Sequence, residues 1–372
     1  LPIPAEPGRH PGLKIAWPIL GNDARGHRQL LDIARQPSIQ ASTATPEKTS
    51  SDQHCQDCDN MKTLIRVTEI WVPNQQRTHL EFFDGLYGKQ ADFKGASETM
   101  SFAYDEGLPG KAWAARRPVI LHSFENSYFL RTEAAKQAGL TAGIALPIFA
   151  GDYLQAVIVF FIGDDADNVG GIEIWSNTPA ESFDMGMDDG YYGTAETFEW
   201  TARHTKFRPG FGLPGTVWQS GMPCIMQGLL NSKRTLRQDS DVKIGINKGV
   251  GIPCAYDSKQ AIVMTFLSAL GTPIARRFEI WVPNEDGSGL HFGAGDCDQM
   301  PHLSECHHGA TIAPWEGAIG EAWKKGVPAV RGSLVLEPGP AARAATAAGL
   351  SSMVVVPVIQ EGRFKAAVAW YF

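Results

Sequence analysis

Gly107-Leu108-Pro109-Gly110-Lys111-Ala112-Trp113 decides the fold, because it returns. Gly212-Leu213-Pro214-Gly215-Thr216-Val217-Trp218 repeats it 105 residues on (212 − 107), and Gly317-Ala318-Ile319-Gly320-Glu321-Ala322-Trp323 repeats it, degraded, after another 105 (317 − 212). Five residues past each Trp lies a proline, at Pro118, Pro223 and Pro328. Upstream, Glu69-Ile70-Trp71, Glu173-Ile174-Trp175 and Glu279-Ile280-Trp281 recur at steps of 104 and 106. Downstream, Gly139, Gly245 and Gly349 each precede an apolar run holding Pro147, Pro253 or Pro357. Thirteen residues past each of those prolines sits Phe160, Phe266 or Trp370. Self-similarity at a fixed period is the mark of a tandem array of one supersecondary unit.

Within one copy, Val67 to Val72 alternates and is β-rich until Pro73-Asn74 breaks it, and His79 to Phe83 reads as the strand that pairs back. The Gly-Leu-Pro-Gly turn leads into a short helix over Lys111 to Arg116, followed by a short strand from Pro118 to Leu121. Thr132 to Gln137 reads as a helix with Gly139 as its C-cap. Gly143 to Phe149 and Gln155 to Ile162 form a hairpin around Ala150-Gly151-Asp152. The glycines are read as backbone devices, and Trp113, Trp218 and Trp323 as equivalent buried anchors. The class is α+β, an antiparallel sheet with helices packed on a face.

The order of these words resembles the GAF domain family, over about residues 63–372 in three copies. That resemblance implies tandem GAF-like domains, each a roughly six-stranded antiparallel sheet with helices packed on it, a small-molecule pocket on one face, and frequent dimerisation. Two features depart from the family pattern. Successive copies follow within about 15 residues instead of through long helices, and no kinase, cyclase or DNA-binding segment accompanies them. The expected domains are 63–164, 165–271 and 272–372. Leu1-Pro2-Ile3 through Trp17 matches the closing hairpin of a copy, so residues 1–21 are read as the terminal β-hairpin of a partial unit. Residues 22–62 are read as a helix (Leu30, Leu31 and Ile33 at helical spacing) plus a polar linker.

The totals bound the function. Among 372 residues, 43% are hydrophobic and 20% charged, as in a folded chain of several domains. A net charge of -7 argues against a nucleic-acid partner, and no apolar run approaches the roughly 20 residues of a membrane helix. No signal peptide is read. Six irregularly placed cysteines do not make a disulfide framework, so a soluble chain in a reducing compartment, cytoplasm or organelle interior, is expected.

The chain carries fragments of several binding and catalytic motifs. Asn247-Lys248 begins a cyclic-nucleotide signature but lacks its Phe and acidic pair. Cys306-His307 has the bilin-attachment residue types, upstream of Gly317 instead of near Gly349. Cys224 and Cys254, on neighbouring strands, are the candidates for methionine-sulfoxide chemistry. His54, Cys55 and Cys58, with Cys297, His302, Cys306, His307 and His308, are the candidates for a metal. None completes a motif, and no nucleophile elbow or paired-carboxylate spacing occurs. The expectation is therefore no catalytic residue, no metal ligand, no cofactor, and ligand-contacting residues left unassigned. The function expected is a non-catalytic regulatory, ligand-binding and oligomerising array. The alternative is a self-assembling scaffold joined by strand pairing between chains. The partners expected are further copies of the chain, meeting through exposed sheet edges, and a small-molecule ligand.

Overall fold

The computed structural model describes residues 63–372 except 164–168, 179, 194, 230–244, 257–259 and 270. The hairpin expected at 1–21 and the helix and linker expected at 22–62 lie outside the described residues. So do His54, Cys55 and Cys58.

The first copy runs β1 (Ile65–Pro73), β2 (His79–Leu86), α1 (Ala91–Glu98), β3 (Ser101–Ala103), α2 (Gly107–Ala115), β4 (Val119–Leu121), α3 (Thr132–Gln137), β5 (Leu140–Ala150) and β6 (Tyr153–Gly163). The second runs β7 (Gly170–Asn177), β8 (Met185–Tyr191), α4 (Glu196–Arg203), β9 (Lys206–Phe207), α5 (Gly212–Ser220), β10 (Cys224–Gln227), β11 (Ile246–Tyr256) and β12 (Ala261–Ala269). The third runs β13 (Arg277–Pro283), β14 (Leu290–Cys297), α6 (Leu303–Cys306), β15 (Thr311–Ile312), α7 (Gly317–Lys325), β16 (Ala329–Arg331), α8 (Pro340–Ala347), β17 (Met353–Gln360) and β18 (Arg363–Tyr371). Each copy forms a six-stranded antiparallel sheet, and the three strand orders are the same: β3-β2-β1-β6-β5-β4, β9-β8-β7-β12-β11-β10 and β15-β14-β13-β18-β17-β16. The register repeats as well, with Glu69 opposite Val159, Glu173 opposite Thr265 and Glu279 opposite Ala369.

The glycines of the repeated word both have backbone reasons. Gly107, Gly212 and Gly317 open their helices at φ +58, +64 and +61. The second glycine lets the helix lie on the preceding strand, since a Cβ at Gly110, Gly215 or Gly320 would stand 2.3, 2.0 or 2.6 Å from a carbonyl oxygen. The helices therefore start at the first glycine, four residues before the expected Lys111. The first copy also contains two elements that its sequence pattern does not announce, α1 and β3. The tryptophans also sort differently. Trp71, Trp175 and Trp281 are fully buried and Trp218 is buried. Trp113 and Trp323 are half-buried, resting edge-on against Tyr104 and tilted against Phe364. The words that anchor the cores are the Glu-Ile-Trp strands.

Alternation along the strands builds two kinds of core. Val67, Trp71, Val157 and Val159 face the helices of the first copy, and the other copies have separate cores of the same kind. Ile70, Ile158 and Phe160 face the opposite way, into one core shared by all three sheets. At its centre Phe160, Phe266 and Trp370 meet with ring centroids 5.7, 5.1 and 4.6 Å apart. These are the three aromatics that follow the periodic prolines. With both faces covered, central strands such as β12 are buried along their length.

The copies touch cyclically: β4 lies against β8, β10 against β14, and β16 against β2, while β5, β11 and β17 meet one another. Three sheets thus close a pseudo-threefold ring within one chain. Every copy carries a β-bulge in the same place. Ile70 pairs Asp84 and Trp71 pairs Phe82, leaving Phe83 extra; the same shift leaves Asp188 and Gly293 extra. The bulged residues sit at steps of 105 (188 − 83 and 293 − 188) on the strands that receive the neighbouring copy. Arg117, on the β4 side of the first joint, has Met222 and Val327 as register equivalents, each preceding one of the periodic prolines. The first joint is charged, with Arg117 paired to Asp188 and His122 Nε2 2.9 Å from Asp189 Oδ1. At the second joint Lys248 Nζ lies 2.5 Å from Asp296 Oδ2 and 2.8 Å from Asp298 Oδ1.

Candidate functional site

A strand that turns one side chain inward turns the residue two positions away inward as well. Trp71, Trp175 and Trp281 face the helix-covered cores, so Glu69, Glu173 and Glu279 do too, and all three carboxylates are fully buried. Each accepts a hydrogen bond from the indole Nε1 of its own Trp, at 2.9, 2.8 and 2.9 Å. A buried carboxylate needs compensation, and the copies supply it differently.

In the first copy Glu69 accepts from Tyr87 Oη at 3.0 Å, Ser97 Oγ at 2.7 Å, and Arg131 Nη1 and Nη2 at 2.6 and 2.9 Å. Arg131 reaches in from the residue preceding α3 and is only 5% exposed. Its guanidinium carbon lies between 4.8 and 5.8 Å from the ring centres of Trp71, Phe93, Phe102, Phe129 and Phe161. The chain thus fills its own aromatic cage with its own cation. Burial, then the Glu69 charge, pushes the Tyr87 hydroxyl well above its ordinary pKa, so it remains a donor.

In the second copy Glu173 accepts from Tyr192 Oη at 2.9 Å and Thr265 Oγ1 at 2.9 Å.

In the third, Glu279 is paired with Arg277, accepts from Tyr371 Oη at 2.7 Å, and lies 2.8 Å from His307 Nε2. Burial pushes its pKa up, but the His307 hydrogen bond, the Arg277 and His307 charges and the Tyr371 bond together hold it below the ordinary value. His307 stands 28 residues after its glutamate, as Ser97 does in the first copy. The cation has moved: Arg131 enters from a loop, Arg277 from strand β13 at the position of Val67. His307 Nε2 also lies 2.7 Å from Arg277 Nη2, and one ring nitrogen cannot donate to the carboxylate and accept from the guanidinium at once. Arg277 Nε and Nη1 and His307 Nδ1 are buried with no hydrogen-bond partner.

The residues singled out from sequence fall elsewhere. Lys248 is a buried brace between the second and third copies, with its pKa raised: burial alone would lower it, and the Asp296 and Asp298 contacts outweigh that. Asn247 beside it points a buried Oδ1 that lacks a partner. Cys224 and Cys254 lie on the paired strands β10 and β11, but burial pushes their thiols up to about 11 and about 12, which suppresses the nucleophilic thiolate. Cys306 is exposed whereas His307 is buried, so the pair does not share a pocket. Cys297 is buried and His302 exposed; among the described residues no three His, Cys, Asp or Glu side chains gather as a metal site. No helix among the described residues is long and apolar enough to cross a membrane.

The family model described as GAF domain matches residues 56–173. No curated protein matches the chain. Among solved structures, the chain is similar to the A. aeolicus nlh2 GAF domain in an inactive state, at 21% identity over 27% of this chain and 59% of that one, TM-score 0.22. It is similar to free methionine-R-sulfoxide reductase from Neisseria meningitidis in complex with its substrate, at 11% identity over 26% of this chain and 52% of that one, TM-score 0.22. It is also similar to the GAF-B domain of DevS from Mycobacterium smegmatis, at 19% identity over 27% and 61%, TM-score 0.20. The chain therefore spans between half and two thirds of the length of each of these three structures. Residues 56–173 carry a GAF domain, and the three six-stranded antiparallel sheets of identical strand order are consistent with tandem GAF-like domains.

Proposed function

We propose that the chain is a non-catalytic regulatory array of three GAF-like domains, 63–164, 165–271 and 272–372, whose third copy takes a small ligand bearing hydrogen-bond acceptors. The observation that carries this reading is the group of unpartnered buried nitrogens around Glu279: Arg277 Nε and Nη1, and His307 Nδ1. Buried donors without partners are rare in folded proteins, and an acceptor-bearing molecule would satisfy them. In the first copy one such nitrogen remains, Arg131 Nε, while Nη1 and Nη2 are bound to Glu69 and Ser97, so three unpartnered nitrogens in the third copy face one in the first. The thiols at Cys224 and Cys254 are held protonated, which supports a binding role over a redox one.

The scaffold reading is not favoured. An open array draws on faces free for the next chain, and the described copies turn one face of each sheet, with β4, β10 and β16, toward one another in a closed cycle.

Native mass spectrometry of the full chain tests the proposal. A small-molecule adduct is expected that survives in Glu69→Gln/Arg131→Gln and is lost in Arg277→Gln/Glu279→Gln, a pair that leaves no uncompensated charge. An adduct retained in the second variant, or turnover of methionine-R-sulfoxide by the purified chain, would overturn it.

A further inference from the structure

The third joint of the ring differs in chemistry from the first. Where the first joint sets Arg117 against Asp188, the third has Val327 and the bulged Phe83 at the same register positions. Among the described residues no ion pair joins the two copies there. Instead an open groove of about 450 Å³ runs between the first and third copies. Its apolar lining includes Val72, Phe83, Leu154 and Val327, and its charged lining residues are Arg77 and Lys325, with no carboxylate among them. That volume is within the range of small-molecule sites.

Two details set the groove apart from a mere packing seam. Phe83 is 49% exposed, a large aromatic left uncovered where the second copy places an aspartate. Arg77 adopts φ +57 in the β1–β2 turn, a left-handed position that Gly287 fills at φ +69 in the third copy. A bulky residue there carries backbone strain, and such strain persists where the side chain is needed. The strained turn lays the Arg77 guanidinium across the Leu154 carbonyl, 3.1 Å away, and 5.3 Å from the Tyr153 ring. Lys325 is tied only by a half-exposed pair with Glu321 at 3.1 Å. Pairs of that kind are weak, so its ammonium is free to exchange partners.

We propose that this groove binds a small amphipathic monoanion, an apolar body carrying one carboxylate or sulfonate. Phe83 and Val327 hold the body, and Lys325 and Arg77 hold the charge. The site is separate from the buried glutamates and does not depend on the ligand proposed for the third copy.

The test uses the full chain and the fluorescent sulfonate 8-anilinonaphthalene-1-sulfonate, with the uncharged N-phenyl-1-naphthylamine as control. The expected result is one saturable site for the sulfonate, from which decanoate displaces it and inorganic sulfate does not. Phe83→Asp with Val327→Arg transplants the ion pair of the first joint into the groove. It is expected to weaken sulfonate binding at least about tenfold with the melting temperature retained. Lys325→Gln is expected to weaken the sulfonate while leaving the uncharged probe unchanged. Sulfonate binding that survives the transplant in a folded protein overturns the proposal. Should the transplant unfold the protein, Lys325→Gln decides: equal effects on the two probes, or none, overturn it.

Discussion

Replacing Glu69 by Gln keeps the shape of the side chain and removes its charge. Four side chains lose their ionised acceptor: Trp71, Tyr87, Ser97 and Arg131. The largest consequence falls on Arg131, a guanidinium 5% exposed that would then lack a counter-ion. Breaking a buried pair by removing one partner costs about 3–5 kcal/mol. The five aromatic faces around Arg131 stay in place and continue to stabilise the cation in the variant. The expected loss is therefore at the lower end, about 3 kcal/mol. Urea unfolding read by tryptophan emission measures it, and Trp71, bonded to the carboxylate at 2.9 Å, reports the site directly. Glu69→Gln combined with Arg131→Met removes both charges and should recover more than half of the loss, because an apolar replacement of a buried pair is often close to neutral. A loss under about 1 kcal/mol for Glu69→Gln, the scale of an exposed pair, or a double variant no better than the sum of the singles, would refute the reasoning.

Other outcomes follow from the same geometry. Glu279 has a depressed pKa, so its contribution is complete above the ordinary 4.5 and is lost as the pH falls below that value through the folded pKa; in Glu279→Gln the acid limb of the stability profile should flatten. His122 has a raised pKa, first through its hydrogen bond to Asp189, so the stability it gives the first joint is complete below pH 6.5 and fades as the pH rises above it. Thermal melts of His122→Asn should lose that pH slope, and an unchanged slope would exclude the residue as its source. Gly215→Ala should destabilise by about 1–3 kcal/mol or more, since its Cβ would stand 2.0 Å from Arg208 O. A melting temperature equal to that of the unaltered chain would show that the helix can shift aside.

The parts of the fold that sequence reveals are those with a positional reason in every copy. Gly107 and Gly110 must be glycine for φ and for close approach, so the word survives three times. The elements α1 and β3 were not legible. Ala91–Glu98 contains Gly95 and buries only Phe93 and Ser97, too faint an apolar stripe to read as a helix, and β3 has three residues. The glutamates are visible in sequence as repeat markers, and their burial becomes apparent only once the tryptophan two positions on is placed in the core. Ser97 and His307 share a spacing of 28 from their glutamates, but the cations Arg131 and Arg277 arrive from different elements and share none. The ring was equally hidden. Phe160, Phe266 and Trp370 recur in register, but only the packing of three sheets shows that they touch.

Closure of the ring within one chain separates a regulatory array from an open lattice, and a cross-link across the third joint tests it most directly. A Cβ at Gly326 would lie 4.0 Å from Cγ of Gln155, joining the third copy to the first. Gln155→Cys with Gly326→Cys, treated with a short bismaleimide at high dilution and compared with each single variant, is the measurement. A link between these two positions inside monomeric chains is the result expected. A link found only between chains, or none between these two positions above that in the single variants, which keep the six native cysteines, would contradict the closed arrangement.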